Sequence, residues 1–518
     1  MTQNSNVFLP QLSATGPYLT DPDGNAVILR GFNVCSKTTE SPEQLGFDFR
    51  NATFLRDHGV SVVRLGLPWT NVQPTLAFDD NGLLQYNMSF LESIKRTIQL
   101  LAVVGIYTLV DFHQDGYAAP WGFGAPAWAV VDGGESMPTY GWIVNTFGGT
   151  SFELKEATGP KPTTVETDLN FAFDSFWNNS QVPMGIINSK TGISFTLWEV
   201  YGEMLQFVSN YLSDQKGNIL GYDPINEPEP GSLWTEGYIA PSAPNGDPNN
   251  YLNFANGFPT ADGMLGTFYQ QCAIPSLRAG HPEAMIWFEP NIYFDYNAPT
   301  SLPDLAAEFG NVGFNFHNYD NTASGSHLFL DPVTNALSYQ SSYNVPLLCS
   351  EFGGTTDIQD IQTVAGINDE HMLSSIFWAW FNNAQYPFYG GVNAAAMGLV
   401  QSMSEDLGPP NLNPAMLTAV TRIYPRLIAG TPISFSSDGS TNQFTFVYST
   451  QLPNGQVGTG VTMIVVPEGL HPSGFDVSVS GGNVVKQLPG ILEVVADSPT
   501  PPTITVTIQA KIQPTIQS

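Results

Sequence analysis

Two glutamates, Glu227 and Glu351, stand at the exits of apolar runs, where a pair of carboxyls could share acid–base and nucleophilic work. Glu227 lies in Gly221-Tyr222-Asp223-Pro224-Ile225-Asn226-Glu227-Pro228-Glu229-Pro230, after Ile219 and Leu220, where prolines stop a short buried strand. An Asn directly before a Glu suits a general acid, because the amide can bind a sugar hydroxyl while the carboxyl protonates a leaving oxygen. Glu351 ends Val345-Pro346-Leu347-Leu348-Cys349-Ser350 and is followed by Phe352-Gly353-Gly354. Read alone, Asn-Glu-Pro is an ordinary loop sequence. The two carboxyls can meet only if the fold gathers strand ends on one face, as a (β/α)8 barrel does.

The elements that would position them alternate along the chain. After the turn Asp21-Pro22-Asp23-Gly24, Ala26 to Asn33 reads as a first strand, Val60 to Leu65 as a second and Ile106 to Phe112 as a third. A fourth ends at Glu227, and Ala284 to Phe288, Val312 to Phe316, Pro346 to Ser350 and Ser375 to Trp380 are the fifth to eighth. Helical stretches fall near Gln44 to His58, Asn87 to Val104, Phe195 to Leu212, Met264 to Ala279, Ile358 to Glu370 and Pro414 to Leu427. In the second of these Leu91, Ile94, Ile98 and Leu101 share one side. The pattern predicts an α/β chain, a (β/α)8 TIM barrel over residues 1–430. An insertion after the third strand, about 115–194, is rich in Gly, Pro and aromatics and holds Trp121, Trp128, Trp142 and Trp177; loops that long usually serve function. From 431 to 518 the runs Ile433 to Tyr448, Gly460 to Val466, Phe475 to Val485 and Thr503 to Ile508 predict a small C-terminal all-β sandwich.

Barrel enzymes carry their chemistry at the C-terminal ends of the strands. Here those ends supply Asn33 with Lys37 beyond it, Arg64, Asp111-Phe112-His113-Gln114-Asp115, Asn226 with Glu227, Asn315-Phe316-His317-Asn318-Tyr319, Glu351, and Trp378-Ala379-Trp380. Singly, Arg64 could be a buried ion-pair partner, His113 a core histidine and Trp380 packing; a core does not need charge at so many strand exits. Glu229 lies between prolines past the strand exit, and Glu289 lacks a preceding Asn, so both rank behind Glu227. His113 and His317 have no ligand spacing to each other or to Cys35, Cys272 or Cys349, so neither a metal nor another cofactor is expected.

These residues at these strand ends resemble glycoside hydrolase family five. The resemblance implies Glu227 as acid/base and Glu351 as nucleophile, with retention of configuration and carboxyls about 5–5.5 Å apart. It also implies that Arg64 supports Glu351, that Tyr319 hydrogen-bonds the same carboxylate and that Trp380 offers an apolar face to the sugar. Within the family, Asn33 to Lys37, Asp111 to Asp115, Phe176-Trp177 and Asp223 to Pro228 are most similar to the endoglycoceramidases, which cut between the oligosaccharide and the ceramide of glycosphingolipids. That likeness implies that Lys37, His113, Asp115, Trp177 and Asn226 contact the sugar beside the scissile bond, with His317, Tyr319 and Trp380 completing the site. Val34-Cys35-Ser36-Lys37-Thr38-Thr39-Glu40 departs from it, lacking the expected aromatic and proline residues. The aromatic stretch Tyr117 to Trp128 either rims the site for a lipid leaving group or packs inward.

Composition narrows the alternatives. Aromatic and charged residues each make up 12% of the 518, a balance opposed to disorder. A net charge of -30 with 16 basic residues repels phosphate backbones, so no nucleic-acid partner is expected, and contact with lipid aggregates would be peripheral. No apolar run reaches membrane-spanning length. Met1 to Pro10 lacks the basic start and apolar core of a signal peptide, which leaves a mature secreted chain without its leader, the expectation here, or a cytoplasmic protein; a monomer is expected. The expected function is a retaining endo-glycosidase acting on a glycosphingolipid or another β-glycoside. The alternatives are a family-five β-glucanase or β-glucosidase acting on soluble glucans, and a glycan- or glycolipid-binding barrel without catalysis.

Overall fold

The computed structural model describes residues 8–118, 122–130, 168–182, 194–231, 258–296, 299–319, 330–382 and 397–511, apart from 439, 440, 442, 468 and 472. Eight parallel strands close into a barrel: β1 (Arg30–Val34), β2 (Val62–Gly66), β3 (Tyr107–Asp111), β4 (Ile219–Asp223), β5 (Ile286–Phe288), β6 (Val312–Asn318), β7 (Leu347–Phe352) and β8 (Ser374–Phe381), with β8 returning to pair β1. Every residue of β2 to β8 is buried, which is why these strands read as continuous apolar runs rather than alternating ones.

The helix Met88–Val103 shows how the crossovers form. Leu91, Ile94, Ile98 and Leu101 face inward, the Asn87 side chain accepts the Phe90 N–H at the start, and Gly105 at φ 84° turns the chain toward β3. Such a cap is worth about 1 kcal/mol. A second glycine device follows Glu351. Gly353 and Gly354 have φ of 105° and 58°, and a Cβ on them would stand 2.3 Å from Phe377 and 2.8 Å from Tyr319, so only glycines let Tyr319 close over the end of β7.

The all-β part is two antiparallel sheets. Thr431–Asp438, Gln443–Ser449, Thr503–Ala510 and Phe475–Ser480 form one; its inward residues Phe435, Phe444, Phe446, Val506 and Ile504 meet Ile464, Val494 and Leu492 of the other. That other sheet joins the first strands of the chain, Ser13–Thr15, Tyr18–Thr20 and Ala26–Val27, to Tyr424–Ile428, Thr462–Val466, Gly490–Ala496 and Gly482–Leu488.

Two expectations change here. The run Ala26 to Asn33 divides, with Ala26–Val27 pairing antiparallel to Leu427 and Ile428 while Arg30–Val34 enters the barrel. The sandwich sheet therefore takes in chain before β1 and from Tyr424, both of which precede the 431–518 stretch expected for it. The helix expected over Pro414 to Leu427 stops at Val420, and Tyr424–Ile428 is a strand. Pro425 has no N–H to give a helix and restricts Tyr424, whereas strand partners wait on both sides. Asp369, paired with Arg30 and Arg422, and the Tyr424 hydroxyl, which donates to the Gly59 carbonyl at 2.9 Å, tie the sandwich to the barrel floor. Within the insertion, Asp168–Trp177 is a helix that was not anticipated, and Trp121 and Trp142 lie outside the described residues. No helix among the described residues is long and apolar enough to cross a membrane.

Candidate active site

Past β4 the chain turns so that Glu227 adopts φ 42°, a left-handed conformation that costs a non-glycine residue about 1–3 kcal/mol and survives only where its surroundings dictate it. They do so. Gln114 Nε2 donates to the carbonyls of Asn226 (2.7 Å) and Glu227 (2.9 Å), Asn226 Nδ2 donates to the Gln114 carbonyl (2.9 Å), and the Glu227 N–H donates to Glu289 Oε2 (2.8 Å). At β7 the pairing register with β6 shifts between Cys349 and Glu351, which aims Glu351 across the barrel mouth. Arg64 Nη1 donates to one oxygen of Glu351 and the Tyr319 hydroxyl to the other. One oxygen from each of Glu227 and Glu351 lies, together with His317 Nδ1, in a group whose members are all within 4.8 Å of one another. This is the one cluster of three or more such ligand-type side chains at that spacing among the described residues; its atoms are engaged with each other, with Arg64 and with Tyr319, an arrangement suited to moving protons.

Around this pair the site gathers more acids than bases. Lys37, Arg64, His113 and His317 face Asp111, Asp115, Asp223, Glu227, Glu229, Glu289, Asp295 and Glu351 in a largely buried space. So many negative charges cannot persist together, and four of the carboxyls rise. Burial and then Glu289 push Asp223 up; burial, with Glu227, Glu289 and Glu351, pushes Asp295 up; burial, Glu227 and Asp115 push Glu229 up to about 8. Glu227 is raised by burial and by the charges of Glu351 and Asp115, against the opposing hydrogen bond from His317. Two go the other way despite burial: Asp115 is drawn well down by Lys37 and His113, and Glu289 by His317 and Arg64. Burial disfavours both imidazolium ions, but their anionic neighbours outweigh it and push His113 and His317 well above the ordinary range.

Beside the pair, Lys37 Nζ lies 2.6 Å from Asp115 Oδ2 and 4.4 Å above the Trp378 ring, which stacks on His113 at 5.4 Å. His113 Nδ1 is 2.8 Å from Asp111 Oδ2. The structure thus brings Lys37, Arg64, His113, Asp115, Asn226, Glu227, His317, Tyr319 and Glu351 together as expected, and corrects the roles of Trp380 and His317. Trp380 is fully buried, donates its Nε1 to Asn51 and packs on Phe32 and Phe54; the register shift of β8 against β1 between Phe377 and Phe381 breaks simple alternation, and Trp378 is the ring that reaches the polar cluster. His317 is fully buried with a carboxylate at each ring nitrogen, so it stands behind Glu227 rather than against a substrate. Trp177, 6% exposed, packs among Phe173, Phe176 and Phe268 and donates Nε1 to the Glu229 carbonyl, bracing that loop. The described part of the aromatic stretch also turns inward: Tyr117 donates to the Ala129 carbonyl, and Trp128 packs on Trp69 and donates to the Gln73 carbonyl.

Sequence reasoning gave no role to Gln114, Asp223, Asp295 or Asn315, and weighed Glu289 only as a rival that ranked behind Glu227. Asn315 Nδ2 bridges Asp223 Oδ2 (2.8 Å) and Glu289 Oε1 (3.1 Å). Glu289 stands at the exit of a fully apolar strand, the same signal that marked Glu227 and Glu351, and lacking a preceding Asn excludes it only as a general acid, not as a member of the site.

The family profile for Cellulase (glycosyl hydrolase family 5) matches residues 20–384, and that for the glycoside hydrolase family 5 C-terminal domain matches residues 422–509. Endoglycoceramidase I of Rhodococcus hoagii is 24% identical over 519 residues, covering 96% of this chain and 88% of the relative. A solved structure of endo-glycoceramidase II from Rhodococcus sp., as a lactosyl-enzyme intermediate, aligns with a TM-score of 0.66 at 24% identity, covering 96% of this chain and 100% of that one. Sterylglucosidase 1 of Cryptococcus neoformans aligns with a TM-score of 0.67 at 13% identity over 97% of both chains. The two structures share the fold.

Proposed function

Since this chain belongs to glycoside hydrolase family 5 and is a glycoside hydrolase, we propose that it cleaves glycosphingolipids between the oligosaccharide and the ceramide by double displacement, with Glu351 as nucleophile and Glu227 as acid/base. The observation that supports the mechanism is that one oxygen of Glu227 and one of Glu351 lie within 4.8 Å of each other. Retaining pairs stand about 5–5.5 Å apart, whereas inverting pairs leave about 6.5–9.5 Å for a water.

In the first step a Glu351 oxygen attacks the anomeric carbon. The bond to the ceramide oxygen breaks, and that oxygen takes the proton of Glu227, whose raised pKa keeps the proton available. Esterification removes the Glu351 charge, one of the influences that held Glu227 up, while the His317 hydrogen bond continues to favour ionised Glu227. Glu227 then takes a proton from water, the hydroxide attacks the anomeric carbon, and Glu351 leaves as carboxylate. Lys37 and Asp115 offer a cation and an anion to the hydroxyls of one hexose, Trp378 an aromatic edge, and the second Nδ2 hydrogen of Asn226 a further donor.

The lipid substrate is supported by likeness to endoglycoceramidases along nearly the whole chain, sandwich included. The same reading takes the chain as a secreted monomer that meets lipid aggregates peripherally; a net charge of -30 disfavours adsorption to anionic membranes. The test is incubation with a glycosphingolipid in detergent, beside a soluble β-glucan oligosaccharide and a steryl glucoside, with mass spectrometry of the products. Intact glycan plus free ceramide is expected. Cleavage of the glucan or the steryl glucoside alone would overturn the assignment of substrate while leaving the carboxyl pair in its roles.

A further inference from the structure

Glu289, 2% exposed at the exit of β5, directs its carboxylate entirely at the groups that surround the acid/base. Oε2 accepts the main-chain N–H of Glu227 at 2.8 Å. Oε1 accepts Arg64 Nη2 at 3.0 Å and Asn315 Nδ2 at 3.1 Å, and lies 3.1 Å from His317 Nε2, a charge contact rather than an aligned hydrogen bond. His317 in turn sets Nδ1 2.8 Å from Glu227 Oε1. Glu289 thus holds Glu227 twice, through its main chain and through the imidazole that faces its carboxyl. Only an ionised carboxylate meets this demand, since it accepts at both oxygens; an amide of the same shape would turn an N–H toward one of the donors.

We propose that Glu289 is a positioning residue of the hydrolysis, pinning the left-handed main chain of Glu227 and charge-pairing the His317 imidazole against which Glu227 exchanges its proton. The proposal rests on the reading of Glu227 as acid/base. Burial opposes an imidazolium at His317, and Glu289 leads the anions that overcome it, followed by Glu351, Asp295 and Glu227. Arg64 from β2, Asp111 from β3, Asp223 from β4, Tyr269, whose hydroxyl donates to the Glu289 carbonyl, Tyr319 beyond β6 and Cys349 from β7 also face this centre.

Two readouts in the full chain test it. In Glu289→Gln, nitrogen-15 NMR of the histidines should show the His317 deprotonation midpoint falling by about one pH unit or more, since a cation that loses an anionic neighbour gives up its proton earlier. With substrates that differ only in leaving group, kcat/KM should fall about 10²-fold for an alkyl or ceramide glycoside, which needs the proton from Glu227, and less than about 10-fold for a nitrophenyl glycoside, which does not. Glu289→Asp keeps the anion on a shorter stem and serves if the amide variant fails to fold: the His317 midpoint should stay near that of the parent while alkyl glycosides still suffer more than aryl ones. Equal slowing of both substrates with an unmoved His317 midpoint in Glu289→Gln, or parental leaving-group dependence in Glu289→Asp, overturns the proposal. Absence of turnover of either substrate by the parent chain would count against the functional reading instead, and the NMR titration, which needs no substrate, would still decide whether Glu289 controls His317.

Discussion

Replacing Arg64 by lysine keeps a positive charge at the centre of the site and removes the fork that distributes it. The guanidinium makes six hydrogen bonds: Nε to Asp223, Nη1 to Asn33 and Glu351, and Nη2 to Asp223, Asn226 and Glu289. An ammonium has three N–H groups and one position, so it cannot serve the ends of β1, β4, β5 and β7 at once. Each lost charge-assisted bond in a fully buried place costs about 1.5–3 kcal/mol. Relaxation, and the proton that Asp223 already tends to hold, reduce the sum, and about 3–5 kcal/mol is expected, the range for breaking a buried ion pair. Against a total stability of about 5–15 kcal/mol that is a large loss. Glu351 also loses its Nη1 partner, and a nucleophile displaced by about 1 Å costs on the order of 10²-fold in kcat. Urea unfolding measures the first effect. Hydrolysis of a nitrophenyl glycoside, which does not lean on Glu227 as an acid, measures the second. An Arg64→Lys protein that unfolds within about 0.5 kcal/mol of the parent and keeps its kcat would refute the reasoning.

Further expectations concern the carboxyls. Glu227→Gln should slow an alkyl or ceramide glycoside by about 10²–10⁴-fold while sparing glycosylation by a nitrophenyl glycoside, so that a burst of nitrophenol precedes a slow steady state; parental kinetics on both would remove Glu227 from its role. Glu351→Gly or Ser should abolish hydrolysis, by at least about 10⁴-fold, and leave calorimetric binding of the glycan in place; residual activity near the parental value would reassign the nucleophile. The alkaline limb of kcat/KM should lie above the ordinary carboxyl range, because the raised Glu227 must be protonated to act, and activity is lost as pH climbs through that value. Glu229, pushed up to about 8, lowers stability progressively as pH rises from 4.5 toward 8, since the folded chain holds a proton that the unfolded chain has released. Glu229→Gln should therefore stabilise the chain at pH 8.5 relative to pH 5, on the order of 1 kcal/mol after allowance for partial solvation; thermal melts showing no pH-dependent gain would contradict this.

The barrel and the carboxyl pair at its mouth were legible in the sequence because both leave local marks. A strand buried on two faces must be a short apolar run, and a carboxylate at its exit contradicts that texture, which is how Glu227 and Glu351 stood out. The marks failed where tertiary context decides. Trp378 and Trp380 are spaced alike for an alternating strand, and only the irregular register of β8 sends the first to His113 and the second to Asn51. Glu289 sits at a strand exit like the other two, but its work is to accept from Glu227, Asn315 and Arg64, and those partners come from three distant segments. The pairing of Ala26–Val27 with Tyr424–Ile428 was hidden for the same reason, since nothing near either strand specifies a partner so far along the chain.

The most direct test of the double displacement is the anomeric configuration of the sugar at the moment of release. Proton NMR during the first minutes of hydrolysis of a β-glycoside, before mutarotation, should show the β-hemiacetal appearing first, the outcome of two inversions through a Glu351 ester. The α-hemiacetal appearing first would mean a single inversion by water, and would contradict the roles given to Glu227 and Glu351.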